Sequence, residues 1–243
     1  SPSAQRGRDF AIMLRSLGDL GYLVEWRVVN AAEQGFPQRR IRVFIVAKLI
    51  VGTPRQLPDD PAFIENGGIL GKVFPGVSDG LINVFELDED LEKISNSFPA
   101  RQKSPFQNAG FYSQGKVITA RVSFIGATKR IVLGDVLEPP DKIDDSFWVP
   151  EEQLPLWRHQ KGAKSIERIH KETGTKFNYA EGSMAFPDSL EKPARTIVTG
   201  EGGSTPSRFK HVVEQDGRYR RLIPVELERL NGFPDDWTKY DSD

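Results

Sequence analysis

Two strand-like runs joined by a short, turn-rich connection place the tightest limit on what this chain can fold into. Residues 22–29 are rich in aromatic and β-branched side chains, and residues 42–47 form a run of Val, Phe, Ile and Val that reads as a buried strand. The connection between them, residues 30–40, contains Gly35 and Pro37. It is too short for a parallel crossover, which needs about a dozen residues or more, so an antiparallel pair is expected. Ahead of the pair, Phe10, Met13, Leu14, Leu17 and Leu20 recur at helical spacing, with Gly18 and Gly21 crowding the end. That pattern predicts an amphipathic helix over residues 9–20.

Past Ile50 the pattern changes to short strand-like runs broken by Gly, Pro, Asn and Asp, and it stays so to about Asp216. Residues 116–124 alternate well enough for a strand. Residues 151–171 read as a helix that Pro155 and Gly162 must break or kink. Near the end the reading is clear again. Pro224 opens a helix, Glu226 sits in its first turn, Leu227 and Leu230 share a face, Gly232 follows and Phe233-Pro234 stops it.

Of the 243 residues none is cysteine, which excludes thiolate nucleophiles, cysteine metal ligands and disulfides, and suits a reducing compartment. No apolar run approaches the ~18 residues needed to cross a bilayer, so no membrane partner is expected. A cytoplasmic protein is the expectation. His159, His170 and His211 lack metal-ligand company, and no structural metal is expected. The net charge of −1 hides an uneven distribution. Residues 86–92 are acidic, whereas residues 158–176 and 208–221 are rich in Lys and Arg. One basic face is enough for phosphates, although solvated charge explains such clusters as well.

Three segments carry candidate chemistry. Gln38-Arg39-Arg40-Ile41-Arg42 lies just before the second strand. Alternation along an extended chain would put Arg40 and Arg42 on one side with Ile41 turned to the core. Paired guanidinium forks suit phosphates, carboxylates and base acceptors, and a basic strand edge that blunts aggregation is the plainer alternative. Residues 195–208 run from a strand into a glycine-rich loop. Thr196, Thr199, Gly200, Gly202, Gly203, Ser204 and Arg208, with Lys210 and Arg220 beyond, are candidate DNA contacts beside Gln38 and Arg39. A flexible hairpin tip explains the loop equally well, and it matches neither phosphate-binding fingerprint. The third segment, residues 220–234, reads as structural. Glu226 and Arg229 stand one turn apart and can pair on its surface.

The first and third of these segments resemble known motifs. Gln38-Arg39-Arg40-Ile41-Arg42 is similar to the eighth conserved motif of the bacterial DNA cytosine-5 methyltransferases. Arg220-x-Leu222-x-Pro224-x-Glu226-x-x-Arg229-x-x-Gly232-Phe233-Pro234 resembles their ninth. Their order, and the long variable stretch between them where that family places its target recognition domain, agree as well.

The resemblance implies an α/β fold: a C-terminal helix and antiparallel strand pair of an S-adenosylmethionine-dependent methyltransferase sheet, followed by a smaller mixed α+β target recognition domain. Residues 1–50 would belong to the catalytic domain, residues 51–217 to the recognition domain, and residues 218–243 to the ninth-motif helix packing against it. It also implies a reaction in which a cysteine attacks C6 of a flipped-out cytosine, a glutamate steadies N3, and a methyl group passes to C5. Arg42 then takes the role of supporting the target base, and Arg40 a neighbouring phosphate or catalytic-loop contact. The donor-binding, Pro-Cys and Glu-Asn-Val motifs would lie before Ser1 and the tenth motif after Asp243. The expected function is therefore the DNA-recognition and base-supporting C-terminal part of a DNA cytosine-5 methyltransferase, inactive without its N-terminal part. S-adenosyl-L-methionine would be the cofactor of the complete enzyme only. Partners would be double-stranded DNA, the N-terminal catalytic part or subunit, and a cognate restriction endonuclease. A stand-alone sequence-specific DNA-binding module is the alternative, and a small α/β domain unrelated to DNA a third. Ile223 stands where the family often has a helix-capping threonine, so the cap must come from elsewhere.

Overall fold

The computed structural model describes residues 5–51, 62–98, 103–126, 129–171 and 173–239. The chain is mixed α/β and divides into two compact units, residues 1–33 with 41–127, and residues 34–40 with 128–243. Among the described residues no helix is long and apolar enough to cross a membrane.

The first unit contains α1 (Arg8–Asp19), β1 (Tyr22–Asn30), β2 (Ile41–Leu49), α2 (Ile69–Val73), β3 (Gly76–Glu86), α3 (Leu91–Ser97), β4 (Ala109–Ser113) and β5 (Lys116–Phe124). Its five strands form one sheet in the order β2-β1-β4-β5-β3, with every pairing antiparallel. The β1–β2 pair has the direction that its short connection requires. The sheet runs on past residue 50, through strands that the sequence marks weakly. In β3 the register shifts between Ser78 and Ile82, so the two-residue alternation that would announce a strand is interrupted.

Side chains alternate across this sheet. Val24, Trp26, Tyr112 and Val117 meet Ala11 and Leu14 of α1 and Ile94 of α3 on one face, while Phe111, Ile118, Ala120 and Val122 pack with Ile64 on the other. The helix lies close to the sheet. A Cβ at Gly18 would stand 2.3 Å from the Tyr112 ring, so only glycine fits there. Leu20, predicted on the apolar face, is 68% exposed because α1 ends at Asp19 and Leu20 lies past its last turn.

β2 departs from expectation more sharply. Ile41 (60%), Val43 (53%) and Phe44 (45%) are exposed, and Ile45 and Leu49 with them. This is a strand of core composition on the edge of its sheet, and Ile41 does not turn inward. The burial expected of this apolar run is therefore not found: β2 is exposed along nearly its whole length, and β1 is the only strand that pairs with it among the described residues.

The second unit contains α4 (Leu154–Lys161), β6 (Lys164–Ile169) paired with β7 (Lys176–Glu181), β8 (Val212–Gln215) paired with β9 (Arg218–Arg221), and α5 (Pro224–Asn231). Short 3-10 turns join them. The expected helix over 151–171 is half right. Pro155 sits in the first turn of α4, where its missing N–H is harmless, and Gly162 ends it. The rest becomes β6. The core here is Leu133, Val136, Ala194, Val213, Leu222 and Leu230.

Candidate nucleic-acid interface

The residues of the connection before β2 divide sharply. Gln38 is 2% exposed. Its Nε2 donates to the Leu230 carbonyl at 3.1 Å and to Asn231 Oδ1 at 3.2 Å, while its Oε1 accepts from the Ile197 amide at 3.3 Å. A parallel bridge between Gln38 and Ala194 and a 2.8 Å bond from the Arg39 amide to the Ala194 carbonyl hold the backbone. Gln38 thus joins this connection to the 194–197 segment and the end of α5. With that backbone pinned, the side chains of Arg39 and Arg40 extend into solvent. Arg42, in the other unit, is also exposed, and its Nη1 donates to the Ile41 carbonyl at 2.7 Å. The boundary between the units falls between Arg40 and Ile41.

The glycine-rich loop is clamped. Thr196 donates to the Arg39 carbonyl at 2.6 Å. Glu201, next in a short turn with Thr199 and Gly200, accepts from the His211 amide at 2.6 Å and faces His211 Nδ1 at 3.0 Å. Lys210 points inward. It is 5% exposed, and its Nζ donates to the carbonyls of Gly203 at 2.9 Å and Thr205 at 2.6 Å. Arg221 Nη1 reaches the same Gly203 carbonyl at 2.9 Å, and its Nη2 reaches the Ser146 carbonyl at 2.6 Å. Thr199, Gly200, Gly202, Gly203 and Ser204 remain exposed above this floor. Arg208 is held at the side by Glu181, 2.6 Å away, and by the Gly182 carbonyl.

Beneath the loop lies a buried polar layer that sequence patterning does not reveal. Arg195 forms a two-pronged pair with Asp188, at 2.7 and 3.2 Å, and donates to the Phe209 and Lys210 carbonyls. Burial pushes the Asp188 carboxyl up, but the Arg195 guanidinium outweighs it and holds the group below the usual carboxylate range. Lys161, 1% exposed, donates to the Lys210 carbonyl. Burial, aided by the positive charge of Arg195, pushes its ammonium down to about 8. Burial, with Arg221 beside it, also lowers Lys210. These partners stand seven to forty-nine residues apart in the chain, too far for any spacing rule to connect them.

Arg220 has no exposed surface. Its two terminal nitrogens meet Glu226 at 2.7 and 2.8 Å, and its Nε meets Gln215 at 2.5 Å. Glu226 also accepts from the Ile223 amide at 3.0 Å and the Glu138 amide at 2.9 Å. Ile223 has no side-chain acceptor for the first-turn amides, but Glu226, three residues on, reaches back to the Ile223 amide and so supplies the return arm of a capping box. Arg229 does not pair with Glu226 as its spacing suggests; Asp235 and Glu138 hold it instead, at 2.5 and 2.6 Å. Arg220 is thus an internal strut, and no surface of it faces a phosphate.

Among the described residues no three His, Asp or Glu side chains lie close enough to hold an ion. Among the described residues of the first unit all strand pairings are antiparallel.

The first unit thus carries an apolar edge strand with Arg42 exposed on it, and the second a glycine loop held over a buried polar layer. The C-5 cytosine-specific DNA methylase family matches this chain over residues 3–243, and the chain belongs to that family. It is 39% identical to the Type II methyltransferase M.Sau3AI of Staphylococcus aureus, over 98% of this chain and 57% of the relative. It is also 24% identical to the Type II methyltransferase M.MthTI of Methanothermobacter thermautotrophicus, over 96% of this chain and 52% of that protein. A third relative, the Type II methyltransferase M.BanI of Aneurinibacillus aneurinilyticus, is 22% identical over 98% of this chain and 62% of its own length. The chain spans little more than half the length of these relatives. No solved structure matches it.

Proposed function

We propose that this chain is the C-terminal, DNA-reading part of a DNA cytosine-5 methyltransferase of a restriction-modification system. Arg42 supports the flipped cytosine, and the glycine loop with Arg39 and Arg40 meets duplex DNA. The observation that carries this reading is β2. A strand of Ile, Val, Phe and Ile exposed on a sheet edge exposes unpaired backbone groups and apolar surface, a combination that isolated proteins avoid and that a further strand removes. A catalytic part pairing there would complete the sheet and bring its cysteine to the base, a group this chain lacks. The coverage of the relatives, 52% to 62%, fits such a division.

Arg42 suits base support because a guanidinium presents fixed donors to a base carbonyl oxygen or a phosphate. Arg39 and Arg40 add positive charge next to it in sequence, and Thr199 and Ser204 add hydroxyls that can bond base edges. S-adenosylmethionine, the family's donor, would bind outside the residues described.

The test is complementation. The chain is mixed with a fragment carrying the donor-binding and Pro-Cys motifs of the same family, duplex DNA and S-adenosylmethionine, and methylated cytosine is counted. Activity is expected from the mixture and from neither part alone. A well-folded complex of the two parts that methylates nothing overturns the proposal, and site-specific binding by the chain with no complementation favours a stand-alone binding module. In the active mixture, Arg42→Ala should lower methylation at least tenfold more than it weakens DNA binding. Equal losses would make Arg42 a phosphate contact only.

A further inference from the structure

Sequence-selective contacts from a glycine-rich loop carry a difficulty. Glycines leave the backbone many conformations, and each one lost on binding weakens the complex. The loop here answers it through its carbonyls. Gly203, in the left-handed region at φ +77°, turns its oxygen inward to two cations, Lys210 Nζ and Arg221 Nη1, each 2.9 Å away. The Thr205 oxygen accepts a second bond from Lys210 at 2.6 Å. One ammonium therefore spans the two carbonyls that flank Ser204, leaving Ser204 itself exposed between them. Lys210 is in turn seated from below, because its own carbonyl accepts from Lys161 Nζ and, at 3.1 Å, from Arg195 Nη2.

A lysine that is 5% exposed, with two carbonyl partners and a nearby arginine, is poorly placed to reach a phosphate. Building an ammonium into this site opposes both burial and the charge of Arg221, and those costs have no purpose in a solvated loop tip. We propose that Lys210 is a positioning residue for sequence choice. By stapling the Gly203 and Thr205 carbonyls it holds the loop in one conformation before DNA arrives, so that Ser204 and its neighbours meet base edges already in register. Arg221 is the second, weaker arm of the same staple. The DNA-reading role of the loop rests on the function proposed above, whereas the stapling itself does not.

Two measurements separate these layers. In the full chain, backbone nitrogen relaxation should show Gly202 to Thr205 rigid, with order parameters near 0.85, and Lys210→Met should bring them below about 0.6 while Val212 and Val213 of β8 stay unchanged. Lys210→Arg, which keeps a donor fork at the site, should restore most of the rigidity. Unchanged order parameters in Lys210→Met overturn the proposal. Should Lys210→Met also disorder β8, Arg221→Gln carries the test, with a smaller loosening of the same four residues expected and its absence equally decisive.

The second measurement uses the complemented enzyme, with its site first located by sequencing the cytosines methylated in a random duplex pool. Lys210→Met should reduce discrimination between that site and single-mismatch sites about tenfold, with Lys210→Arg recovering most of it and the salt dependence of binding unaltered. Weakening on all sequences alike, with the logarithmic salt slope reduced by about one, would show instead that Lys210 contacts a phosphate, and would overturn its positioning role. If no complemented enzyme is active, the functional reading fails while the relaxation experiment still decides the staple.

Discussion

Arg42 stands in solvent on an edge strand with one hydrogen bond, to its neighbour's carbonyl, whereas Arg220 has no exposed surface and meets Glu226 through both terminal nitrogens. Both lie in segments that resemble family motifs, and both are arginines in a strand. Their surroundings give them opposite work. Around residues 38–42 the backbone is fixed, by Gln38 and the Ala194 bridge, and the charged ends are left free. Around residues 220–235 the charged ends are consumed, in the Arg220–Glu226 pair and the Arg229 pairs with Glu138 and Asp235. The first arrangement keeps donors available to a ligand at little structural value. The second uses them to orient α5 against β9, with the Arg220–Glu226 pair wholly buried. A motif signature thus marks a place where the family constrains the chain without saying whether the constraint is chemical or architectural.

The largest expected effect breaks the closed region. Arg220→Ala leaves the Glu226 carboxylate buried without its cation, and removing one partner of a buried pair costs about 3–5 kcal/mol. Urea unfolding should show that loss. A loss below about 1 kcal/mol would mean that Glu226 is carried by its Ile223 and Glu138 amide bonds alone.

How much of this contrast could be read in the sequence depends on the distance over which each partner acts. α1, β1, the strand over Lys116–Phe124 and the start of α5 at Pro224 were all legible, because each is announced by local periodicity or by a terminal residue. Glu226 was legible as a first-turn acid, but its pairing with Arg220 instead of Arg229 was not, since that choice depends on β9 and α5 folding together. β6 and β7 were hidden for a different reason. Ile166, Ile169 and Phe177 are exposed, so the ribbon has no buried face to impose an alternating pattern. Among the proposed site residues, the exposed Thr199 and Ser204 follow from a loop composition any reader would notice. The inward turn of Lys210 does not, because nothing in a run of Ser, Arg, Phe and Lys distinguishes a lysine that faces solvent from one that faces carbonyls. The exposure of β2 was illegible too, for its composition is that of an interior strand.

An intermediate effect concerns the buried layer under the loop, where charge is retained at a cost that varies with pH. Lys161 titrates near 8 in the folded chain against 10.5 when unfolded, with burial the main cause and the facing groups Arg195, Asp188, Glu201 and Arg208 modifying it. Below pH 8 both states hold the proton and the folded state carries the full penalty. Between pH 8 and 10.5 the unfolded chain still binds a proton that the folded chain has released, so this group makes stability rise with pH across that window. The rise is on the order of 3 kcal/mol. Comparing urea midpoints of the wild type and Lys161→Met at pH 7 and pH 10.5 isolates it, since other groups titrate in both proteins. The variant should be the more favoured of the two at pH 7 by more than at pH 10.5, and a difference that does not change with pH would mean that the ammonium is solvated in solution.

The smallest effect is the one that sharpens the contrast most. Arg42→Ala should change unfolding stability by no more than about 0.5 kcal/mol, because the side chain is exposed and its single bond runs to an adjacent carbonyl that water can serve equally well. Arg40→Ala should behave alike. Near-zero values beside the Arg220→Ala loss would establish that residues 38–42 spend their arginines on something other than the fold. If either substitution instead costs 2 kcal/mol or more, as an order of magnitude for a buried or paired group, the guanidinium is bonded within the chain in solution. The two motif segments would then both be architectural, and the case for Arg42 at the target base would lose its physical ground.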